Sequence, residues 1–309
     1  MPTVYIIISV YNWENYFLEQ LMSIYYQNYK NWHLFIVDDW STDSSYQIAE
    51  NFIKNYDLSK KVKIIKQENQ WTCKAIERWL IEVQKINKLD NLVALCDADD
   101  IWTRDKLEVQ VKYMHEQKEC DLCFHDLTLI DKDNNLKSTS FIKSEFRNVA
   151  NPYNNSFFEL AVQNHITTTE IIFRTKYISD IIPIQNEWAK DYWTALIFAI
   201  KKRNIHFINK KLWFYRKWHT SIQKQLKYAW PIKSCNRDRD MFNLLKKRFP
   251  EEKEILYFIN YLSDRIRWYE NGNSPWMCRL LILVNYPKIF FRMIKNIINN
   301  HINFNQFKK

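Results

Sequence analysis

Carboxylates crowd two short strings of this chain. Asp38 and Asp39 close the apolar run at 34–37, and Asp97, Asp99 and Asp100 stand within four residues just after the apolar run at 92–96. Two carboxylates one residue apart in a loop can reach a single divalent cation, and hard oxygen ligands suit Mg²⁺ or Mn²⁺ carrying a diphosphate. A cation held that way neutralises charge on a departing diphosphate, which is Lewis-acid assistance to a substitution. Acidic strings also cap helices, so the elements around them decide between the two uses.

Strand-like and helix-like segments alternate through the first 130 residues. The β-branched run at 4–10 predicts a buried strand. Residues 14–27 carry Phe17, Leu18, Leu21, Ile24 and Tyr25 at helical spacing. After the strand at 34–37, Asp43 and Ser44 are capping residues for a helix that turns Ile48, Ala49, Phe52 and Ile53 inward. A strand at 62–65, a helix at 72–85 and a strand at 92–96 follow. This order predicts an α/β fold whose parallel sheet has helices on both faces, with ligands bound beyond the carboxyl ends of the strands. Both acidic strings fall at such ends. Downstream the pattern predicts a helix at 106–117, a strand at 122–130, an irregular stretch at 141–165, a strand at 171–174, a helix at 192–202 and a strand at 206–215. Beyond about residue 225 it is helical throughout.

Several blocks, in order, carry a resemblance. Ile8-Ser9-Val10-Tyr11-Asn12, Val37-Asp38-Asp39 with Ser41-Thr42-Asp43, Asn69, and Leu95-Cys96-Asp97-Ala98-Asp99-Asp100-Ile101-Trp102 with Lys106-Leu107 resemble the family 2 glycosyltransferases of GT-A fold over residues 4–130. A weaker match, similar to the rhamnosyltransferase-like branch, continues through Asn164-His165-Ile166-Thr167, Phe173-Arg174, Asp191-Tyr192-Trp193 and Tyr215-Arg216.

The resemblance implies a GT-A fold, with a mostly parallel central sheet flanked by helices and a helical C-terminal extension. It divides the chain into a catalytic domain at 1–225 and a basic extension at 226–309. It implies transfer of a sugar, with inversion, from a UDP- or dTDP-linked donor to a glycan or lipid-linked acceptor, in surface polysaccharide or cell-envelope synthesis. Val10, Tyr11 and Asn12 then form the loop beside the nucleotide base, and Asp38 and Asp39 sit at the base. Asp97 faces ribose and metal, Asp99 faces the metal, and Lys74 faces the nucleotide. Asp191 is the general base; as a residue it also suits a helix N-terminus. His219 is a further metal or diphosphate contact, although Tyr215-Arg216-Lys217-Trp218-His219 is one residue longer than the family's Tyr-Arg-x-His. The cofactor implied is Mn²⁺ or Mg²⁺. Inversion itself needs a carboxylate to take the acceptor proton and separate positive charge for the leaving diphosphate.

Composition excludes other classes. The chain has 309 residues, 47% hydrophobic and 26% charged, which is unlike a disordered or collagenous chain. Six cysteines are too few for a disulfide framework at this length, and the single CxxC, Cys120 to Cys123, lies in an apolar run that suits buried thiols better than zinc. No apolar run reaches membrane-spanning length, and Met1-Pro2-Thr3 leads into the first strand without a basic leader, so the expected location is cytoplasmic. Residues 1–200 hold 21 Lys and Arg against 28 Asp and Glu, a net of −7, while 201–309 hold 24 against 7, a net of +17. That asymmetry faces a polyanion or is a solvated basic surface. Residues 275–298 mix apolar bulk with Arg279, Lys288, Arg292 and Lys295, which fits an element lying in the headgroup region at the inner face of the plasma membrane, or a helix packed on protein. No nucleic-acid reading module is evident, so a basic nucleic-acid-binding protein ranks below a non-catalytic nucleotide-sugar-binding relative as the alternative function.

Glycine occurs once, at Gly272, where average usage of about 7% would give roughly 22. Tryptophan occurs 13 times. In the resembled family, glycine is usual where this chain has Trp13, Trp40, Trp71 and Trp79. Such loop glycines supply positive φ or let backbone approach phosphate, and an indole does neither. The pattern is that of UGA codons meaning glycine in the source organism and rendered as tryptophan; the alternative is a decayed site with genuine tryptophans. UGA or UGG at those four codons separates the two.

Overall fold

The computed structural model describes residues 1–68, 71–86, 91–140, 152–184, 190–216, 229–271 and 282–292. Asn69, His219, Gly272 and Cys278, the side chain of Trp71, and most of 275–298 lie outside the described residues. The chain falls into two compact units, Met1–Phe146 with His165–Trp218, and Arg147–Asn164 with His219–Lys309.

In the first unit, β1 (Val4–Val10), β2 (Trp32–Asp38), β3 (Val62–Lys66) and β4 (Leu92–Cys96) form a parallel half-sheet in the order β3-β2-β1-β4. Helices α1 (Phe17–Tyr25), α2 (Ser45–Asn55) and α3 (Trp71–Ile86) are the crossovers between them. β1, β2 and β4 are almost wholly buried, as expected of strands covered on both faces, while β3 at the sheet edge is largely intermediate or exposed. Register brings their carboxyl ends to one edge. Val10 pairs with Asp38, Asp38 with Lys66, and Ile8 with Cys96, so Asp97 emerges beside the loops after β1 and β2.

Beyond β4 the sheet becomes mixed. The order continues β8-β6-β9-β5, where β5 is Ile101–Trp102, β6 Leu122–Ile130, β8 Ile172–Arg174 and β9 Ile205–Arg216; β7 (Leu136–Ser138) pairs with β6. β8 runs antiparallel to both β4 and β6, and β6 is parallel to β9. The continuous parallel run therefore stops at β4, because β8, from later in the chain, enters antiparallel between β4 and β6. Helix α4 (Lys106–Glu116) follows β5, and α6 (Ile178–Ile181) and α7 (Lys190–Ile200) lie between β8 and β9.

The second unit is helical where described. Within the stretch expected to be irregular, Ser156 caps α5 (Phe157–Val162), its hydroxyl accepting from the Glu159 amide at 3.4 Å. Phe157 packs edge-on against Phe242 of α8 (Ala229–Arg248) and Phe258 of α9 (Lys253–Glu270), whose rings stack at 5.5 Å. Arg292 pairs with Glu159. Among the described residues, no helix is long and apolar enough to cross a membrane. Among the described residues, Cys73, Cys96, Cys120, Cys123 and Cys235 are buried and in no disulfide, and the CxxC pair packs as small side chains.

Candidate active site

The loops after β1 and β2 are laced into one surface. Asn12 takes φ 58°, and its side-chain oxygen accepts from the Thr42 amide at 2.8 Å and the Thr42 hydroxyl at 3.3 Å. The Asn12 amide donates to Ser41 Oγ at 3.1 Å, and the Trp13 amide to Ser45 Oγ at 2.9 Å. Asparagine tolerates the left-handed region because its short side chain satisfies local backbone donors. Val10 is buried at the end of its strand and accepts from the Asp39 amide at 2.9 Å, while the Tyr11 ring is largely exposed. Asp38 is fully buried, with one oxygen accepting from the Ser41 amide at 3.2 Å and the other unpartnered. Asp39 accepts from Gln67 Nε2 at 3.0 Å. Both carboxylates thus belong to the floor of this surface.

The cation beside Asp38 is Lys66, at 3.9 Å. Lys74 instead pairs with Glu77 on its own helix at 2.9 Å and is 47% exposed, so a local i,i+3 contact satisfies the lysine the sequence assigns to the nucleotide. Lys66, opposite Asp38 across the parallel ladder, is a second basic side chain at this surface, and only the strand register brings it there.

The loop Asp97–Asp100 is held from below and from the side. The Asp97 amide donates to Thr169 Oγ1 at 3.1 Å, and that hydroxyl donates to Asp100 Oδ2 at 2.8 Å. Asp100 is fully buried with its other oxygen unpartnered; burial, then the charges of Asp99 and Asp97, push its carboxyl well above the usual carboxylate range. Fully buried Arg216, at the end of β9, donates Nε to the Asp99 carbonyl at 3.0 Å, and its other nitrogens reach the Asp131 and Lys132 carbonyls, Asn134 and Glu19. Its guanidinium also lies 4.4 Å from the Tyr16 ring centroid. Asp97 and Asp99 themselves remain half-buried.

Asp191 lies in the first turn of α7, where the helix dipole favours a carboxylate, and its Oδ1 accepts from the Tyr192 amide at 2.7 Å. Its neighbour Lys190 reaches across 93 positions of sequence to place Nζ 2.8 Å from Asp97 Oδ1. Burial lowers the pKa of this ammonium, but Asp97, Cys73 and Asp191 outweigh that and hold it above the ordinary lysine value. Asp97 and the first turn of α7, which carries Asp191, are therefore joined through one lysine.

Among the described residues, no group of three or more His, Cys, Asp or Glu side chains is arranged to hold a metal by itself. One or two carboxylates completed by phosphate oxygens and water is the ordinary provision for a Mg²⁺-like ion that arrives with a nucleotide. Half-buried Asp97 and Asp99 fit that role.

Residues 5–181, more than half of the chain, match the family model of Glycosyl transferase family 2. The chain belongs to glycosyl transferase family 2. Among the family's curated members, TuaG of Bacillus subtilis, a glycosyltransferase named provisionally for teichuronic acid biosynthesis, is 30% identical over 133 residues, 43% of this chain and 49% of TuaG. The chain thus spans about half the length of that relative. Staphylococcus aureus TarS 1–349 in complex with UDP-GlcNAc superposes with a TM-score of 0.56 at 16% identity, covering 96% of this chain and 89% of that one. The Pyrobaculum calidifontis mannosyltransferase PcManGT, in complex with GDP-Man and Mn²⁺, gives a TM-score of 0.55 at 17% identity, with 97% and 87% covered. These likenesses establish the GT-A fold.

Proposed function

We propose that this family 2 protein transfers a hexosyl or rhamnosyl-type sugar from a nucleotide-diphosphate donor to an acceptor hydroxyl, with inversion, in the synthesis of a surface polysaccharide or cell-envelope glycan. The observation that carries this proposal is the convergence, at the carboxyl ends of β1, β2 and β4, of the Asn12–Ser41 loop pair, the Asp97–Asp99 string and, through Lys190, the first turn of α7 with Asp191. Family membership, the TuaG likeness and the donors held by TarS and PcManGT support it.

The base stacks beside Val10 and Tyr11 in this proposal, with Asn12 shaping the loop and Asp38 and Asp39 at its floor. Asp97 and Asp99 would hold a divalent cation, Mn²⁺ or Mg²⁺, which when bound neutralises charge on the leaving diphosphate. Thr169 and Arg216 fix the backbone of that string before any ligand arrives, so little reorganisation accompanies binding. Asp191 takes the acceptor proton as the hydroxyl attacks the anomeric carbon. The catalytic region extends to about residue 225 and the basic remainder, 226–309, attends to the acceptor or an anionic membrane surface.

A panel of UDP-, dTDP- and GDP-sugars assayed for nucleoside diphosphate release tests the proposal. Turnover of at least one donor is expected, abolished by EDTA and restored by Mn²⁺ or Mg²⁺. Absence of both turnover and thermal stabilisation by every donor contradicts it.

A further inference from the structure

Lys190 stands between the two halves of the site and has no role in the transfer described above. Its side chain is 11% exposed, whereas its partner Asp97 is 34% exposed. The lysine is therefore the fixed, packed member of the pair, and the carboxylate is the member open to solvent.

Two features weigh against a purely structural ion pair. An ammonium on the first residue of a helix sits against the positive end of the dipole, where a carboxylate such as Asp191 is favoured and a cation is not. A buried ion pair is also seldom more stabilising than an apolar side chain of similar length, which would fill the same space without desolvating a charge. What the ammonium does supply is positive charge beside the half-buried carboxylates Asp97 and Asp99, whose combined field opposes an incoming diphosphate. Lysine has three donors on a flexible stem, so it can keep one hydrogen bond to Asp97 while offering another to a phosphate oxygen.

We propose that Lys190 is a donor-binding residue: it neutralises Asp97 in the empty site, competes there with free divalent cation, and donates to the diphosphate once the nucleotide enters. This inference rests on the sugar-transfer proposal above. It gives the chain a measurable affinity for nucleoside diphosphate without added metal.

Two titrations on the full chain test it, each with the natural protein, Lys190→Met and Lys190→Arg, and with Lys190→Gln in place of the Met variant should that one fail to fold. In EDTA, the natural protein binds whichever of UDP, dTDP and GDP it prefers about tenfold more tightly than Lys190→Met, the worth of one charge-assisted hydrogen bond, while the matching nucleoside binds both equally. Lys190→Arg retains most of that affinity. With Mn²⁺ alone, followed by electron paramagnetic resonance, Lys190→Met binds the ion more tightly than the natural protein because the competing cation is gone. Equal diphosphate affinity in EDTA, or a loss shared equally by the nucleoside, overturns the inference, and so does unchanged Mn²⁺ affinity. Should no nucleotide bind any of the proteins even with Mn²⁺, the sugar-transfer proposal fails, and the Mn²⁺ titration still decides whether Lys190 guards Asp97.

Discussion

At the scale of single residues, the position that fits its side chain worst is Trp40. It takes φ 73° in the loop directly after Asp38 and Asp39, and its indole is 50% exposed. A bulky residue held in the left-handed region costs about 1–3 kcal/mol, and glycine adopts it freely. Trp79 differs: it is buried, stacks on Phe35 at 4.4 Å and donates Nε1 to the Ile36 carbonyl at 3.3 Å. The backbone argument for glycine therefore applies at 40 and not at 79. Trp40→Gly is expected to stabilise the protein by about 1 kcal/mol, raising its melting temperature by roughly 2–4 °C, less whatever Lys66 Nζ, 5.8 Å from the indole centroid, contributes. It should also tighten nucleotide binding. Mass spectrometry of the protein purified from its own organism should find glycine at position 40; tryptophan there, with a UGG codon, contradicts the recoding explanation.

At the scale of elements, what could be read from the sequence is local and what could not is long-range. The runs that became β1, β2 and β4 are visible as apolar stretches closed by polar residues, and the ends of β2 and β4 bring Asp38 and Asp97 to the carboxyl edge. Strand direction is a different matter. Three apolar residues at 171–173 say strand but not that β8 enters antiparallel beside β4. The contact of Lys190 with Asp97 spans 93 positions and leaves no periodic trace, whereas Lys74 has an acidic neighbour one helical turn away that captures it. Helix α4 carries another feature of this kind. Lys106, its first residue, is fully buried, bonded to Gln110 at 2.6 Å and 4.3 Å from the Trp102 ring centroid. Burial lowers its pKa to about 8, below the ordinary lysine value it regains on unfolding. Between those two values the unfolded chain binds more protons than the folded one, so this group's contribution to stability rises with pH from about 8 to about 10.4. Urea unfolding at pH 7.5 and 9.5 should show the natural protein gaining stability relative to Lys106→Met across that interval. Parallel curves contradict the assignment.

At the scale of the whole molecule, charge is divided rather than mixed, with a net of −7 over 1–200 and +17 over 201–309. Each basic residue close to an anionic bilayer adds about 1 kcal/mol of attraction, and beside exposed Lys288 the exposed side chains of Val284 and Phe291 supply apolar area to bury among headgroups, whereas Arg292 is buried against Glu159. The full chain should co-sediment with vesicles containing anionic lipid, less so with neutral vesicles or in high salt, and deletion of 275–309 should reduce binding. Co-sedimentation unaffected by that deletion counts against a membrane role for this segment. The proposed transfer requires donor-side and acceptor-side carboxylates to do separate work. That separation is tested most directly by measuring donor affinity and turnover side by side for Asp99→Ala and Asp191→Ala, using the best sugar nucleotide from the panel. Asp99→Ala should lose metal-dependent nucleotide binding, while Asp191→Ala should bind donor as the natural protein does and lose about 10²–10⁴-fold in turnover, the usual contribution of a general base. Full turnover by Asp191→Ala, or undiminished metal-dependent binding by Asp99→Ala, would contradict it.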